Sequence, residues 1–130
     1  MDRSRFIDVE DARNSLTALM WRQAGVERDA RGLEDALHRI DFWNSYVLTT
    51  EFFSMSGWEL QDMLFTARAI AVCALRRRET RGVHCRIDYP DRNDAEWLKH
   101  IDISRNGGDA PQVSYSPVTI TQWQPQERKY

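Results

Sequence analysis

Arg76-Arg77-Arg78 and Arg81 gather four guanidinium groups within six residues, a composition that could hold an anion. They also close a long helical apolar stripe, where cations complement the negative end of the helix dipole. The chain as a whole carries 18 Lys and Arg against 20 Asp and Glu, a formal net charge of −2. Sequence-independent phosphate binding draws on a net excess of Lys and Arg. Helix-end or interface charge is therefore the plainer role of the cluster, and nucleic acid is not an expected partner. His84 and Cys85, with Cys73 and His100 elsewhere, contain atoms that ligate zinc, but neither Cys-x-x-Cys nor His-x₃-His spacing occurs. Cys85 beside His84 is the one nucleophile next to a base, and sequence neighbours rarely point at each other usefully. The acidic loop Asp88, Asp91, Asp94 and Glu96 lacks the twelve-residue register of an EF-hand and reads as solvated charge. The six glycines never form Gly-x-Gly-x-x-Gly after a strand. No residue is expected to be catalytic, to hold a cofactor or to ligate a metal.

The elements that must position these residues follow from spacing. Val9, Ala12, Leu16, Leu19 and Met20 recur at three and four, which predicts a helix with Asp8 as N-cap and a stop near Gly25. A second helix reads through Leu33, Ala36, Leu37, Ile40, Trp43 and Val47. Leu48 to Gly57 reads as a connector whose aromatics pack down on the helices. Trp58 to Arg78 holds no Gly or Pro and carries Leu60, Met63, Leu64, Ala67, Ala71, Ala74 and Leu75 on one face, a third helix whose alanines admit a close neighbour. The architecture expected is mainly α: an up-down-up, spectrin-repeat-like three-helix bundle over residues 1–84. Residues 85–130 are expected to add a loop and an extended tail or β-hairpin, packing on the bundle or on a parent subunit within a single domain. Two extended runs, Trp97 to Ile103 and Val113 to Trp123, flank Asn106-Gly107-Gly108-Asp109, the expected turn.

Size and composition agree with one folded domain. A chain of 130 residues with 42% hydrophobic and 11% aromatic side chains can build a core. No run approaches the roughly 20 apolar residues that span a bilayer, and Met1 to Arg5 leads into no apolar signal core. Two cysteines without motif spacing fit a reducing compartment.

Glu79-Thr80-Arg81-Gly82-Val83-His84, followed by Arg86-x-Asp88-Tyr89-Pro90-Asp91-Arg92-Asn93-Asp94-x-Glu96-Trp97-Leu98-Lys99-His100, closely resembles the C-terminal domain of succinate dehydrogenase and fumarate reductase flavoprotein subunits. That family reads Glu-Ser-Arg-Gly-Ala-His, then an Arg-Glu-Asp-Tyr/Phe-Pro-like stretch and Trp-Leu-x-His. Here Thr80, Val83 and Ile87 depart from the pattern while Arg81, Gly82 and His84 keep it. Leu19-Met20-Trp21 with Gly25-Val26 and Arg28, and Gly32-Leu33-Glu34-x-Ala36-Leu37, resemble the family's first two helices. Tyr115-Ser116-Pro117-Val118 and Pro125 to Tyr130 resemble its closing tail. L-aspartate oxidase shares the helical part and the Arg-Gly-x-His segment, but usually lacks such a tail.

The resemblance implies one domain of a larger subunit whose other domains hold FAD and the dicarboxylate. The parent would be a succinate dehydrogenase-like oxidoreductase passing electrons to an iron-sulfur subunit, cytoplasmic and held on the inner face of the membrane through anchor subunits. This domain alone would be inactive. Its implied work is to dock on the flavin domain, with Arg78, Arg81, His84 and Arg86 as the polar contact. Gly82 frees the backbone to turn directly after the third helix, which is expected to aim Arg81 and His84 away from the bundle. The competing readings are the C-terminal domain of an L-aspartate oxidase and a stand-alone helical interaction module. Exposure of Trp97 and Trp123 would mark a lost partner surface, and such a surface could also pair the isolated chain as a dimer.

Overall fold

The computed structural model describes residues 7–105 and 111–126. Val9–Gln23 forms helix α1: Asp8, in extended conformation, accepts the backbone N–H of Asp11 at 3.0 Å, and the Ala24 N–H closes the other end on the Met20 carbonyl. Ala30–Val47 forms α2, capped by Asp29, whose carboxylate accepts the Gly32 N–H at 2.7 Å. These side chains satisfy donors that a helix start leaves unpaired.

Helix α3, Met55–Arg76, begins three residues before the expected start at Trp58 and ends two before Arg78. Gly57 lies inside its first turn instead of in the connector. Ser54 caps that turn, and the Phe52 ring lies so close to Gly57 that a β-carbon there would fall 2.4 Å from Phe52 Cγ. The absence of a side chain is what lets the ring in. Of the connector's two phenylalanines only Phe52 packs down, while Phe53 is exposed. Trp58 Nε1 donates to the Phe52 carbonyl at 2.8 Å, and Gln61 Nε2 donates to the Val47 and Thr50 carbonyls at 3.0 and 2.9 Å. The connector is thereby tied to the helix that follows it.

The core joins Leu16 and Leu19 of α1, Ala36, Ile40 and Val47 of α2, and Leu60, Leu64 and Ala67 of α3 around Phe52. Each fully buried Leu or Ile contributes about 1.5–3 kcal/mol relative to exposure. Each of the three helices packs against the other two, and the alanine stripe Ala67, Ala71 and Ala74 is buried as its spacing implied. The fold is mainly helical with a small sheet component, as the apolar periodicity predicted.

Two short strands escaped the sequence reading. Glu27–Arg28 (β1) pairs in parallel with Cys85–Arg86 (β2), and the Ile87 N–H donates to the Arg28 carbonyl at 2.9 Å. This pairing binds residues 85–92 to the helices, so the helical unit runs to Arg92 and the second compact unit begins at Asn93, eight residues beyond the boundary expected at His84.

In the second unit Asn93 caps a single helical turn, α4 (Asp94–Trp97), by accepting the Glu96 N–H. Trp97 therefore sits on a helical turn and not on an extended run. Lys99–Ser104 (β3) pairs antiparallel with Gln112–Pro117 (β4), Lys99 opposite Pro117 and Ser104 opposite Gln112. The second strand stops at Pro117, six residues short of Trp123, where proline offers no N–H to extend a ladder. The expected turn at Asn106 to Asp109 lies outside the described residues. Lys99 Nζ stands 4.9 Å from the Trp97 ring centre and 4.4 Å from that of Tyr115, a cation held between two aromatic faces. No described residue beyond Arg92 is buried, and Trp123 is 84% exposed.

Candidate docking site

The residues singled out by sequence meet where α3 ends. The chain leaves α3 at Arg77, and Arg81 and His84 then form a tight two-residue hairpin. The Arg81 N–H donates to the His84 carbonyl at 2.8 Å and the His84 N–H to the Arg81 carbonyl at 3.0 Å. Gly82, with φ 58°, occupies the first central position, where such turns favour glycine. The sharp turn expected at Gly82 is present. Its tip carries Val83 outward at 90% exposure, but Arg81 and His84 fold back onto the end of α3 instead of pointing away from it.

Arg86 is the deepest of the group, 1% exposed. Its Nη1 donates to the Ala74 and Leu75 carbonyls, both at 2.9 Å, two of the acceptors that the C-terminal turn of α3 leaves unpaired. Its Nε and Nη2 donate to the two oxygens of Asp88, each at 2.8 Å, in bidentate geometry. Asp88 also accepts the Ala30 N–H at the first turn of α2, at 3.0 Å. One ion pair thus sets a cation against the negative end of α3 and an anion against the positive end of α2. The Arg86 guanidinium, with further help from the Ala30 N–H, holds the Asp88 carboxyl down at about 2, and partial burial only opposes this. Asp88 is no freely solvated loop charge.

Glu79, fully buried, makes a second internal cluster. It accepts Arg77 Nη1 at 2.8 Å and Arg81 Nε and Nη2 at 2.6 and 3.1 Å. Thr80 ties the two clusters together: its hydroxyl accepts the Arg86 N–H at 3.0 Å and donates to the Tyr89 carbonyl at 2.9 Å. His84 Nε2 donates to the Arg77 carbonyl at 3.0 Å, which leaves Nδ1 to accept from Arg28 Nη1 at 3.1 Å. His84 is therefore the neutral Nε2–H tautomer, joining the α3 terminus to β1. Arg78 alone of the four expected contact residues is exposed, with no partner among the described residues.

Burial is the main force lowering the His84 pKa. The Arg77 carbonyl works against it, and the charges of Arg28, Arg86 and Arg77 add to the lowering. The unfolded chain, with histidine near its ordinary 6.5, then binds the proton more readily than the folded one, so stability rises with pH across this window. The contribution is complete above pH 6.5 and drains away as pH falls towards the folded value. The expected result is a urea midpoint that drops between pH 7 and pH 5, and a flatter profile in His84→Gln. Parallel profiles for the two proteins would show that His84 does not carry the effect.

Sequence reasoning missed Arg28, Glu79, Thr80 and Asp88. The available signal was the i, i+2 spacing of Glu79 with Arg81 and of Arg86 with Asp88, since extended backbone puts such residues on one side. Among the described residues no three His, Cys, Asp or Glu side chains gather as a metal site, and no helix is long and apolar enough to cross a membrane.

A family model described as "Fumarate reductase flavoprotein C-term" matches residues 13–130, spanning both helical unit and hairpin. The chain belongs to this family. Within the fumarate reductase flavoprotein C-terminal family, it is 35% identical to the fumarate reductase flavoprotein subunit of Mycobacterium tuberculosis, over 94% of this chain and 22% of that protein. L-aspartate oxidase of Streptomyces coelicolor is 33% identical over 74% of this chain and 18% of that protein. The quinol fumarate reductase of E. coli shares the fold, with a TM-score of 0.79 at 21% identity, over 93% of this chain and 23% of that chain. The chain spans about a fifth of the length of the curated relatives it matches.

Proposed function

We propose that this domain serves a succinate dehydrogenase or fumarate reductase flavoprotein subunit by docking on its flavin domain, supporting FAD-dependent interconversion of succinate and fumarate. The observation that carries the reading is the family match through residues 13–130, hairpin and tail included. The chain's own residues do not fit a flavin. Arg77, Arg81 and Arg86 are committed to Glu79, Asp88 and helix carbonyls, and no glycine-rich phosphate cradle precedes a helix. In this reading FAD, the dicarboxylate and hydride transfer belong to the preceding domains, and this domain alone contributes no chemistry of its own. The iron-sulfur subunit is the next electron acceptor, and membrane attachment is indirect, through anchor subunits at the cytoplasmic face.

Within this reading the four expected contact residues divide their work. Arg78 and the edges of Arg81 and His84 face the partner, while Arg86 holds the edge in shape from inside. Within the second unit, Trp123 is exposed and offers an apolar face of its own. The test is Arg78→Glu in the complete subunit, with Arg81→Ala beside it. Arg78→Glu is expected to weaken assembly and flavin retention at unchanged domain stability, whereas Arg81→Ala also unfastens Glu79 and lowers stability. Assembly, flavin content and turnover all intact in both variants would remove the docking role from this edge.

A further inference from the structure

Three arginines behind the polar edge are matched by carboxylates, Arg77 and Arg81 by Glu79 and Arg86 by Asp88. Arg28 of β1 has no such match among the described residues. It is half-buried, and its hydrogen bonds go to neutral acceptors: Nε donates to the Gly25 carbonyl at 2.9 Å and Nη1 to His84 Nδ1 at 3.1 Å. Burial lowers the Arg28 pKa, as befits a cation that has lost water without gaining an anion. The two acceptors fix the plane of the guanidinium and leave both Nη2 hydrogens and one on Nη1 unused among the described residues. Arg28 lines an open concavity of about 1180 Å³ between the end of α1, the β1–β2 pair and the Gly82 turn. Trp21, Val26, Ile70 and Val83 stand around it, all exposed although each is large and apolar. Its charged lining is Arg22, Glu27 and Arg28, two cations against one carboxylate.

We infer that this concavity binds a small monocarboxylate with an apolar body, its carboxylate on the free edge of Arg28 and its body against Trp21, Val26 and Val83. Small-molecule sites are composed in this way, of apolar and aromatic walls with a few placed polar groups that fix orientation. A guanidinium meets a planar carboxylate through two parallel N–H donors, and Arg28 is already held in one orientation for that contact. The arriving anion restores to Arg28 the charge partner that its partial burial calls for. A single negative charge suits the lining, because Glu27 would repel a second. The Trp21 indole, with about 150–250 Å² of surface to cover, gives the apolar body most of its contact. The inference uses neither Arg78 nor the docking role, so the two can be tested apart.

The experiment is equilibrium dialysis of labelled octanoate against the full-length protein near neutral pH, with octanol and inorganic phosphate as comparison probes. The expected result is a saturable octanoate site that Arg28→Gln and Val26→Asp each weaken about tenfold. Octanol, which keeps the apolar body without the charge, and phosphate, which keeps charge without the body, should each bind the wild type about tenfold more weakly than octanoate. Thermal melts report whether each variant folds. Val26 is exposed, so Val26→Asp and the octanol comparison decide the matter if Arg28→Gln melts early. Octanol or phosphate bound as tightly as octanoate would overturn the inference, since either shows that the two halves of the site do not act together. Octanoate binding unchanged in both variants would place that ligand elsewhere and overturn it as well. No saturable binding at all would overturn it while leaving the docking function to stand or fall by Arg78→Glu.

Discussion

Arg86→Ala is expected to destabilise the helical unit by about 3–5 kcal/mol, the range for removing one partner of a buried charged pair. Against the 5–15 kcal/mol typical of a whole domain, that brings it to the edge of unfolding at ambient temperature. The Ala74 and Leu75 carbonyls lose their donor inside the protein, each unsatisfied acceptor costing about 1–3 kcal/mol. The side chain itself leaves a void where it was 1% exposed. Asp88 can turn to solvent and is the lesser part of the loss. Arg86→Met fills the void without donors and Arg86→Lys supplies donors without the fork, so both should fall between wild type and alanine. An unfolding free energy from urea melts within about 0.5 kcal/mol of the wild type, at unchanged slope, would show that the buried guanidinium is not what joins α3 to α2.

The same variant carries an electrostatic readout. With Arg86 present, Asp88 titrates at about 2 against its ordinary 3.8. A depressed carboxyl contributes stability that is complete above the ordinary value and is lost as pH falls towards the folded one. In Arg86→Ala the Asp88 titration should return towards 3.8, and the acid limb of the stability curve should shrink.

Glu79→Ala should be of similar size, about 3–5 kcal/mol. The carboxylate is fully buried and its partners Arg77 and Arg81 keep 16 and 27% of their side-chain surface, so its removal leaves two cations facing each other with limited access to water. Glu79→Gln keeps the shape but sets a neutral amide against guanidinium donors, and is expected to lose most of the same stability. Thermal melts of the two variants decide between charge and shape. A Gln variant as stable as the wild type would mean that packing, and not charge, accounts for the position. The Arg86 and Glu79 effects should not add, because Thr80 and the Arg77 carbonyl connect both clusters.

How much of this could be read from residues alone depended on whether the governing contact was local. Asp8 as the cap of α1, the stop before Gly25 and the alanine face of α3 are set within a few residues, and each appears as its spacing implied. The start of α3 is not local. Gly57 reads as a breaker until the Phe52 ring is seen resting on it, and Ser54 as a linker residue until its hydroxyl is seen accepting the Gly57 N–H. The polar site shows the same division. Gly82 marks the turn, but whether Arg81 and His84 face outward depends on where the end of α3 lies, and that is decided by packing across all three helices. Arg86 and Asp88, two residues apart, look like surface charge in one dimension. Only the meeting of the α3 and α2 termini makes them an internal clasp.

The central claim, that this chain works as the docking domain of a flavoprotein subunit, is tested most directly by a native immunoblot of cell fractions with antiserum to the domain, read beside flavin fluorescence on the same gel. The account predicts a fluorescent band several-fold larger than 15.3 kDa, in the membrane fraction and co-purifying with an iron-sulfur protein. A soluble, non-fluorescent band at 15.3 kDa alone would contradict it and leave a free-standing helical module in its place.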